Sequence, residues 1–133
     1  MAGRLLKFKK GDTIVHQGNR EKRMYIILKG EVQINLCDEI KEVELAVLKK
    51  NDFFGEISLF NDTPRSASAV ALGNVELTYL DSDAELDRFL AKNPGFSRKM
   101  VRVLSERLAR TDDIVREELG GRSRAAMVGF MWD

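Results

Sequence analysis

Between Phe53 and Val70 the chain gathers the residue types needed to hold a small phosphorylated ligand: Phe53-Phe54-Gly55-Glu56-Ile57-Ser58, then Pro64-Arg65-Ser66-Ala67-Ser68. Gly55 permits a tight turn, and a close backbone approach, between the aromatic pair and a short helical segment. The first N–H groups of a helix starting near Glu56 have no partner inside that helix and can bind an anion. Arg65, after a loop closed by Pro64, can set an always-charged guanidinium fork beside those groups. Ser66, Ala67 and Ser68 are small enough to leave room for a ligand, and the serines offer hydroxyls. The Glu56 carboxylate would repel a phosphate but can accept a hydrogen bond from a sugar hydroxyl. The set suggests a cup for one phosphate and one ribose hydroxyl. Taken alone, an Arg and a Glu in a loop make a surface ion pair worth under about 1 kcal/mol. Their shared spacing with Gly55, Pro64 and Ser66 is what favours a ligand site.

Other chemistries lack their residues. One histidine, His16, and one cysteine, Cys37, cannot make a zinc site, and His16 reads as a strand residue, not a catalytic base. There is no Ser-His-Asp set and no Walker loop, so no metal, no cofactor and no enzyme activity is expected. Lys and Arg (22) nearly cancel Asp and Glu (21), a net charge of +1 that gives no global pull toward nucleic acid or anionic membrane. Any anion must be caught locally. Arg98, Arg102, Arg107, Arg110 and Arg116 are interleaved with Glu106, Asp112, Asp113 and Glu117, which reads as a solvated helix face. No apolar run approaches the roughly 20 residues of a membrane span, and the first ten residues are too poor in apolar length for a secretory signal. A lone cysteine agrees with a reducing compartment, so a cytoplasmic location is expected.

The elements that must position these residues change period along the chain. Leu5–Lys9, Thr13–His16 and Met24–Leu28 read as strands separated by Gly11 and Gly18. Val32, Ile34 and Leu36 alternate with polar residues and share one face of a strand. Val43, Leu45 and Val47 repeat that pattern, as do Val75, Leu77 and Tyr79. Many short strands with close turn signals predict a sandwich or barrel, not βαβ units. From Ser82 the spacing of Leu86, Phe89 and Leu90 suits a short helix, with Ser82 and Glu85 as a capping box. Asn93-Pro94-Gly95 reads as its break, and a longer helix is expected from about Phe96 to Leu119, ended by Gly120-Gly121. Val101, Leu104, Leu108, Thr111 and Val115 form a seam on it that can pack on the roll or on a second copy. No internal repeat is evident.

The stretch from Gly55 to Ala67 resembles the phosphate-binding cassette of cyclic-nucleotide-binding domains, found in kinase regulatory subunits, gated channels and the bacterial catabolite-activator family. In that family a Gly-Glu pair and a later Arg followed by small residues bracket a short helix, as Gly55-Glu56 and Arg65-Ser66-Ala67 do here. Lys10-Gly11-Asp12, Gln17-Gly18 and Tyr25-Ile26-Ile27-Leu28-Lys29-Gly30 resemble the family's β-roll turns and the strand between them. Asn51 departs from the family's usual glycine in the turn before the cassette, but Asn tolerates the left-handed region.

The resemblance implies a mostly β fold, a double-stranded, jelly-roll-like β-roll over about residues 4–80, followed by helices at about 82–92 and 96–119. Residues 1–121 would form one cyclic-nucleotide-binding domain, and 122–133 a tail. Arg65 would pair with the cyclic phosphate and Glu56 with the ribose 2′-hydroxyl. Phe54, Gly55, the amides near Ile57 and Ser58, and Ser66 and Ala67 would complete the cup, while Leu45 and Ala46 would line the base. Candidates for a base lid are Thr111, Val115 and Arg116, with Phe130 and Trp132 as possible stacking residues. The expected ligand is cyclic AMP, favoured modestly over cyclic GMP. The C-terminal helix would report it to a protein effector, with a homodimer through helix 96–119. Nothing after Gly121 has room for a helix-turn-helix domain, so a stand-alone sensor is expected. The rival is a ligand-free dimerisation module, or the sensor fragment of a transcription regulator.

Overall fold

The computed structural model describes residues 4–37, 40–61 and 63–118, the last eight of these by their backbone helix alone. Eight strands form two antiparallel four-stranded sheets. They are β1 (Leu6–Phe8), β2 (Thr13–Val15), β3 (Met24–Lys29), β4 (Val32–Cys37), β5 (Glu42–Leu48), β6 (Phe53–Phe54), β7 (Ser68–Ala71) and β8 (Val75–Leu80). One sheet runs β1-β8-β3-β6 and the other β2-β7-β4-β5. The helices are α1 (Glu56–Phe60), α2 (Asp83–Lys92) and α3 (Pro94–Glu118). The mostly β roll followed by C-terminal helices is the architecture expected.

Strand patterning explains the layers. Val32 and Ile34 of β4 turn inward to meet Tyr25, Ile27, Val75 and Leu77 of the facing sheet, and Leu36 on the same strand is also buried. The run Met24–Ile27 is buried on both faces: Tyr25 and Ile27 line the roll, while Met24 and Ile26 join Phe53, Leu59, Leu80, Leu86 and Met100 under the helices. Full burial of each such side chain favours folding by roughly 1.5–3 kcal/mol.

The alternation expected through Val43, Leu45 and Val47 is broken. In the β4–β5 ladder Asn35 faces Glu44 and Ile34 faces Ala46, so Leu45 is an extra residue in β5. Beyond this bulge the parity inverts, and Val47 turns outward opposite Gln33 while Leu48 is buried opposite Val32. The bulge also lets two successive residues, Leu45 and Ala46, pack against the inner core.

Two turns are built alike. In Lys9-Lys10-Gly11-Asp12 the aspartate accepts from Lys9 N at 2.7 Å and donates its own N–H to Lys9 O at 2.9 Å. In Lys49-Lys50-Asn51-Asp52 the same bonds recur at 2.8 and 2.9 Å, with Asn51 at φ 74° where the first turn has glycine. The recurrence is only four residues long, too short for a search by period.

Ser82 caps α2 by accepting from Glu85 N, as read from the sequence, but the Glu85 carboxylate reaches past Ser82 to the amide of Asp81. Pro94, expected to break the chain between helices, instead opens α3 as its first residue, where its missing N–H costs nothing. Asn93 serves both helices: its amide groups close α2 at Leu90 and Phe89, and its carbonyl accepts the first N–H groups of α3 from Phe96 and Ser97. The predicted stop at Gly120-Gly121 lies outside the described residues.

Candidate functional site

Phe54 pairs with Tyr25 across β3 and β6, and their rings stack with centroids 5.1 Å apart. The next residue, Gly55, has φ 88° and turns the chain from β6 into α1. Its missing side chain has a second purpose. A Cβ there would lie 2.3 Å from Arg65 Nη1 and 2.5 Å from the Arg23 carbonyl oxygen. The guanidinium of Arg65 therefore lies close against the Gly55 backbone, in space that a side chain there would fill.

Arg65 itself is fully buried. Its Nη2 donates to Arg23 O at 2.8 Å and lies 3.6 Å from Glu21 Oε1. Its backbone is fixed by the 18–19 loop: Gly18 N donates to Arg65 O, and Arg65 N donates to Asn19 O, both at 2.7 Å. Beyond it Ser66 is half-buried and Ala67 buried, and Ser68 accepts from Gln17 N. The bulge residues Leu45 and Ala46 are half-buried on the inner face, and Val43, opposite Leu36, stays open there.

Glu56, at the start of α1, is 3% exposed, and Ser58 is buried behind it. The Glu56 carboxylate meets a partner that sequence patterning assigned to solvent. Arg107 of α3 donates from Nη1 to Glu56 Oε1 at 3.1 Å and from Nη2 to Phe53 O at 3.0 Å, with its guanidinium over the Phe53 ring at 4.9 Å. Burial pushes the Arg107 pKa down, and the nearby Glu56 charge opposes that shift. The solvated-face reading of this arginine is thus corrected. A usable signal was its position, since Phe96, Met100, Val103 and Arg107 fall on the inner stripe of α3 at helical spacing. The seam residues Val101 and Leu108, by contrast, are left exposed by the roll, while Leu104 packs on it; the side chains of Thr111 and Val115 lie outside the described residues. A groove of about 180 Å³ runs beside Arg107, lined also by Leu48, Asp52, Val103, Glu106 and Arg110.

A second cluster missed from the sequence surrounds Arg65 on its other side. The buried Tyr25 hydroxyl donates to Glu21, and burial together with that carboxylate pushes its pKa up to about 12. The second Glu21 oxygen lies 3.7 Å from Arg23 Nη1. Arg23, Arg65 and Arg107, with the Gly55 turn and Glu56, thus form one contiguous unit joining β3, β6, α1 and α3. The predicted lid residues Thr111, Val115 and Arg116 lie on α3, but their side chains, like Phe130 and Trp132, fall outside the described residues. Among the described residues no group of His, Cys, Asp and Glu could hold a metal ion, and no helix is long and apolar enough to cross a membrane.

The comparisons with known proteins agree with this geometry. The cyclic nucleotide-binding domain family model matches residues 5–93. The chain is 34% identical over 120 residues to a CRP-like cAMP-activated global transcriptional regulator of Mycobacterium tuberculosis, covering 86% of this chain and 53% of the relative. It thus spans about half the length of that curated relative. Its structure is similar to the catabolite activator protein of Thermus thermophilus, with a TM-score of 0.71 and 28% identity over 87% of this chain and 54% of the other. It is also similar to the EAL enzyme Bd1971 in its cAMP-bound form, with a TM-score of 0.60 and 30% identity over 87% and 31% of the two chains. By its matched sequence, its roll and its Gly55–Arg65 unit, the chain belongs to the cyclic nucleotide-binding domain family.

Proposed function

We propose that this chain is a regulatory sensor, not an enzyme, which binds a cyclic mononucleotide and transmits its presence through α3. The observation that carries the reading is the complete burial of Arg65 against Gly55. Hiding an arginine is costly unless charge and hydrogen bonds compensate, and an ordinary loop arginine would stay in water. Arg65 pairs with the cyclic phosphate, and Glu56 accepts from the ribose 2′-hydroxyl. The cup is completed by the amides near Ile57 and Ser58, with Ser66 and Ala67, while Leu45 and Ala46 meet the base. Relatives named for cAMP and a cAMP-bound structural neighbour support the ligand class.

Arg107 gives the signal a route. It ties α3 to Glu56 and to Phe53 O, so a ligand that draws on the Glu56 carboxylate changes what holds α3. A ligand shifts the helix only through its different affinity for the two arrangements. The exposed Val101 and Leu108, with Leu104 between them, suit pairing of α3 with a second copy.

Calorimetry with cyclic AMP and cyclic GMP tests the reading. We expect both to bind, with cyclic AMP favoured by less than tenfold, one hydrogen bond's worth at about 1 kcal/mol. Arg65→Ala should weaken binding by at least about 2 kcal/mol, and Arg65→Lys, which keeps the charge but loses the fork, should also bind worse. Undiminished affinity in both variants would remove the phosphate assignment.

A further inference from the structure

Arg65 is held in place partly by a carboxylate that neither the cassette pattern nor the family match singles out. Glu21, on the loop between β2 and β3, brings Oε1 to 3.6 Å from Arg65 Nη2. That loop is fastened to the cassette through the two backbone bonds between Gly18, Asn19 and Arg65, so the carboxylate is carried by the residue it faces. An Asx turn, Glu21 N to Asn19 Oδ1 at 2.6 Å, fixes where the side chain leaves the loop. Two further groups hold the carboxylate independently of Arg65: the Tyr25 hydroxyl donates to it, and Arg23 Nη1 lies 3.7 Å from Oε2. Glu21 is itself half-exposed, whereas the Arg65 side chain is fully buried. The carboxylate can therefore move away into solvent, still partnered, while the guanidinium cannot.

We propose that Glu21 is a resident counter-ion that competes with the ligand phosphate for Arg65 and so sets the affinity of the site. This rests on the cyclic-nucleotide reading of that site. A phosphate arriving at Arg65 meets a guanidinium already partly neutralised, and a second anion close by raises the cost of its own. Binding then proceeds with Glu21 turning toward Arg23 and the Tyr25 hydroxyl, and the nucleotide must supply the energy of that exchange. A merely structural ion pair predicts that its removal weakens both fold and binding. A competing counter-ion predicts opposite signs, a weaker fold and a tighter site.

The test compares wild type, Glu21→Gln and Glu21→Asp by calorimetry with cyclic AMP and by urea denaturation without nucleotide. Glu21→Gln should bind about two- to fivefold tighter, the range expected for a partly exposed ion pair, and should unfold at lower urea. Glu21→Asp keeps the charge and should stay near wild type in both measurements. Unchanged or weaker binding by Glu21→Gln, with wild type binding normally, overturns the proposal and leaves the binding function standing. Binding by Glu21→Gln but not by wild type would support it in its strongest form. Failure of all three proteins to bind cyclic AMP or cyclic GMP would remove the nucleotide reading and the proposal together.

Discussion

At position 55 a single methyl group separates an assembled site from a disrupted one. The residue sits at φ 88°, which costs a residue with a Cβ about 1–2 kcal/mol, and the added carbon would press on the Arg65 guanidinium and the Arg23 carbonyl. Gly55→Ala should therefore lower the melting temperature and displace Arg65, so that nucleotide affinity falls by more than the fold weakens. Thermal melts beside calorimetry read both effects, and a variant that melts lower yet binds normally would show that Arg65 tolerates the shift. These residues were legible in the sequence because their types are unusual together: glycine, acid, proline-closed loop, arginine, small residues. Glu21 and Tyr25 were not. A glutamate in a polar loop and a tyrosine in an apolar strand are ordinary there, and their role follows only from the loop's bonds to Arg65.

Helix α3 is fastened to the roll by charged groups as much as by apolar ones. Its Met100 is buried in the cluster with Met24, Ile26 and Phe53, its Lys99 donates to the Asn51 carbonyl and pairs with Asp52 at 3.3 Å, and its Arg107 reaches Glu56. Replacing Arg107 by Leu leaves the Glu56 carboxylate buried without that partner, a change that costs about 3 kcal/mol when buried pairs are broken. Urea denaturation should show that loss, and adding Glu56→Gln in the same chain should restore part of it. Helix α2 carries a pH-dependent element. The Asp81 amide and side chain, with Arg4, hold the Glu85 pKa down to about 2 against an ordinary 4.5. Because the folded value is depressed, its contribution is fully present above about pH 4.5 and is lost as pH falls through about 2. The urea midpoints of wild type and Glu85→Gln should therefore differ near neutrality and converge in acid. At this scale strand pairing and the Ser82 cap could be read from pattern alone. The β5 bulge could not, because one extra residue inverts every later side chain without leaving a mark in composition. Arg107 could be read only by setting it on the Phe96, Met100 and Val103 stripe, a signal that the arginines on either side of it mask.

At the scale of the whole molecule, the proposed pairing through α3 would rest on apolar contact by the exposed Val101 and Leu108, since the sequence is near neutral in charge. Leu108→Glu should leave stability within about 0.5 kcal/mol, as exposed substitutions do. It should shift sedimentation toward the monomer, and a wild type that is already monomeric at all concentrations would exclude the seam. The strand orders carry a different consequence, for how the molecule comes into being. β8 lies between β1 and β3, and β7 lies between β2 and β4, so the last two strands made occupy the interior of both sheets. During synthesis the first sixty-odd residues hold all the partners of these strands but not the strands themselves. Neither sheet can close until Ser68–Leu80 has emerged and inserted, joining Leu6 to Leu77 across the length of the roll. Such distant pairing is slow to nucleate. Because Arg65 lies just before the inserting hairpin, the Gly55–Arg65 part of the candidate site is assembled as the roll closes, with the Arg107–Glu56 contact following once α3 is made.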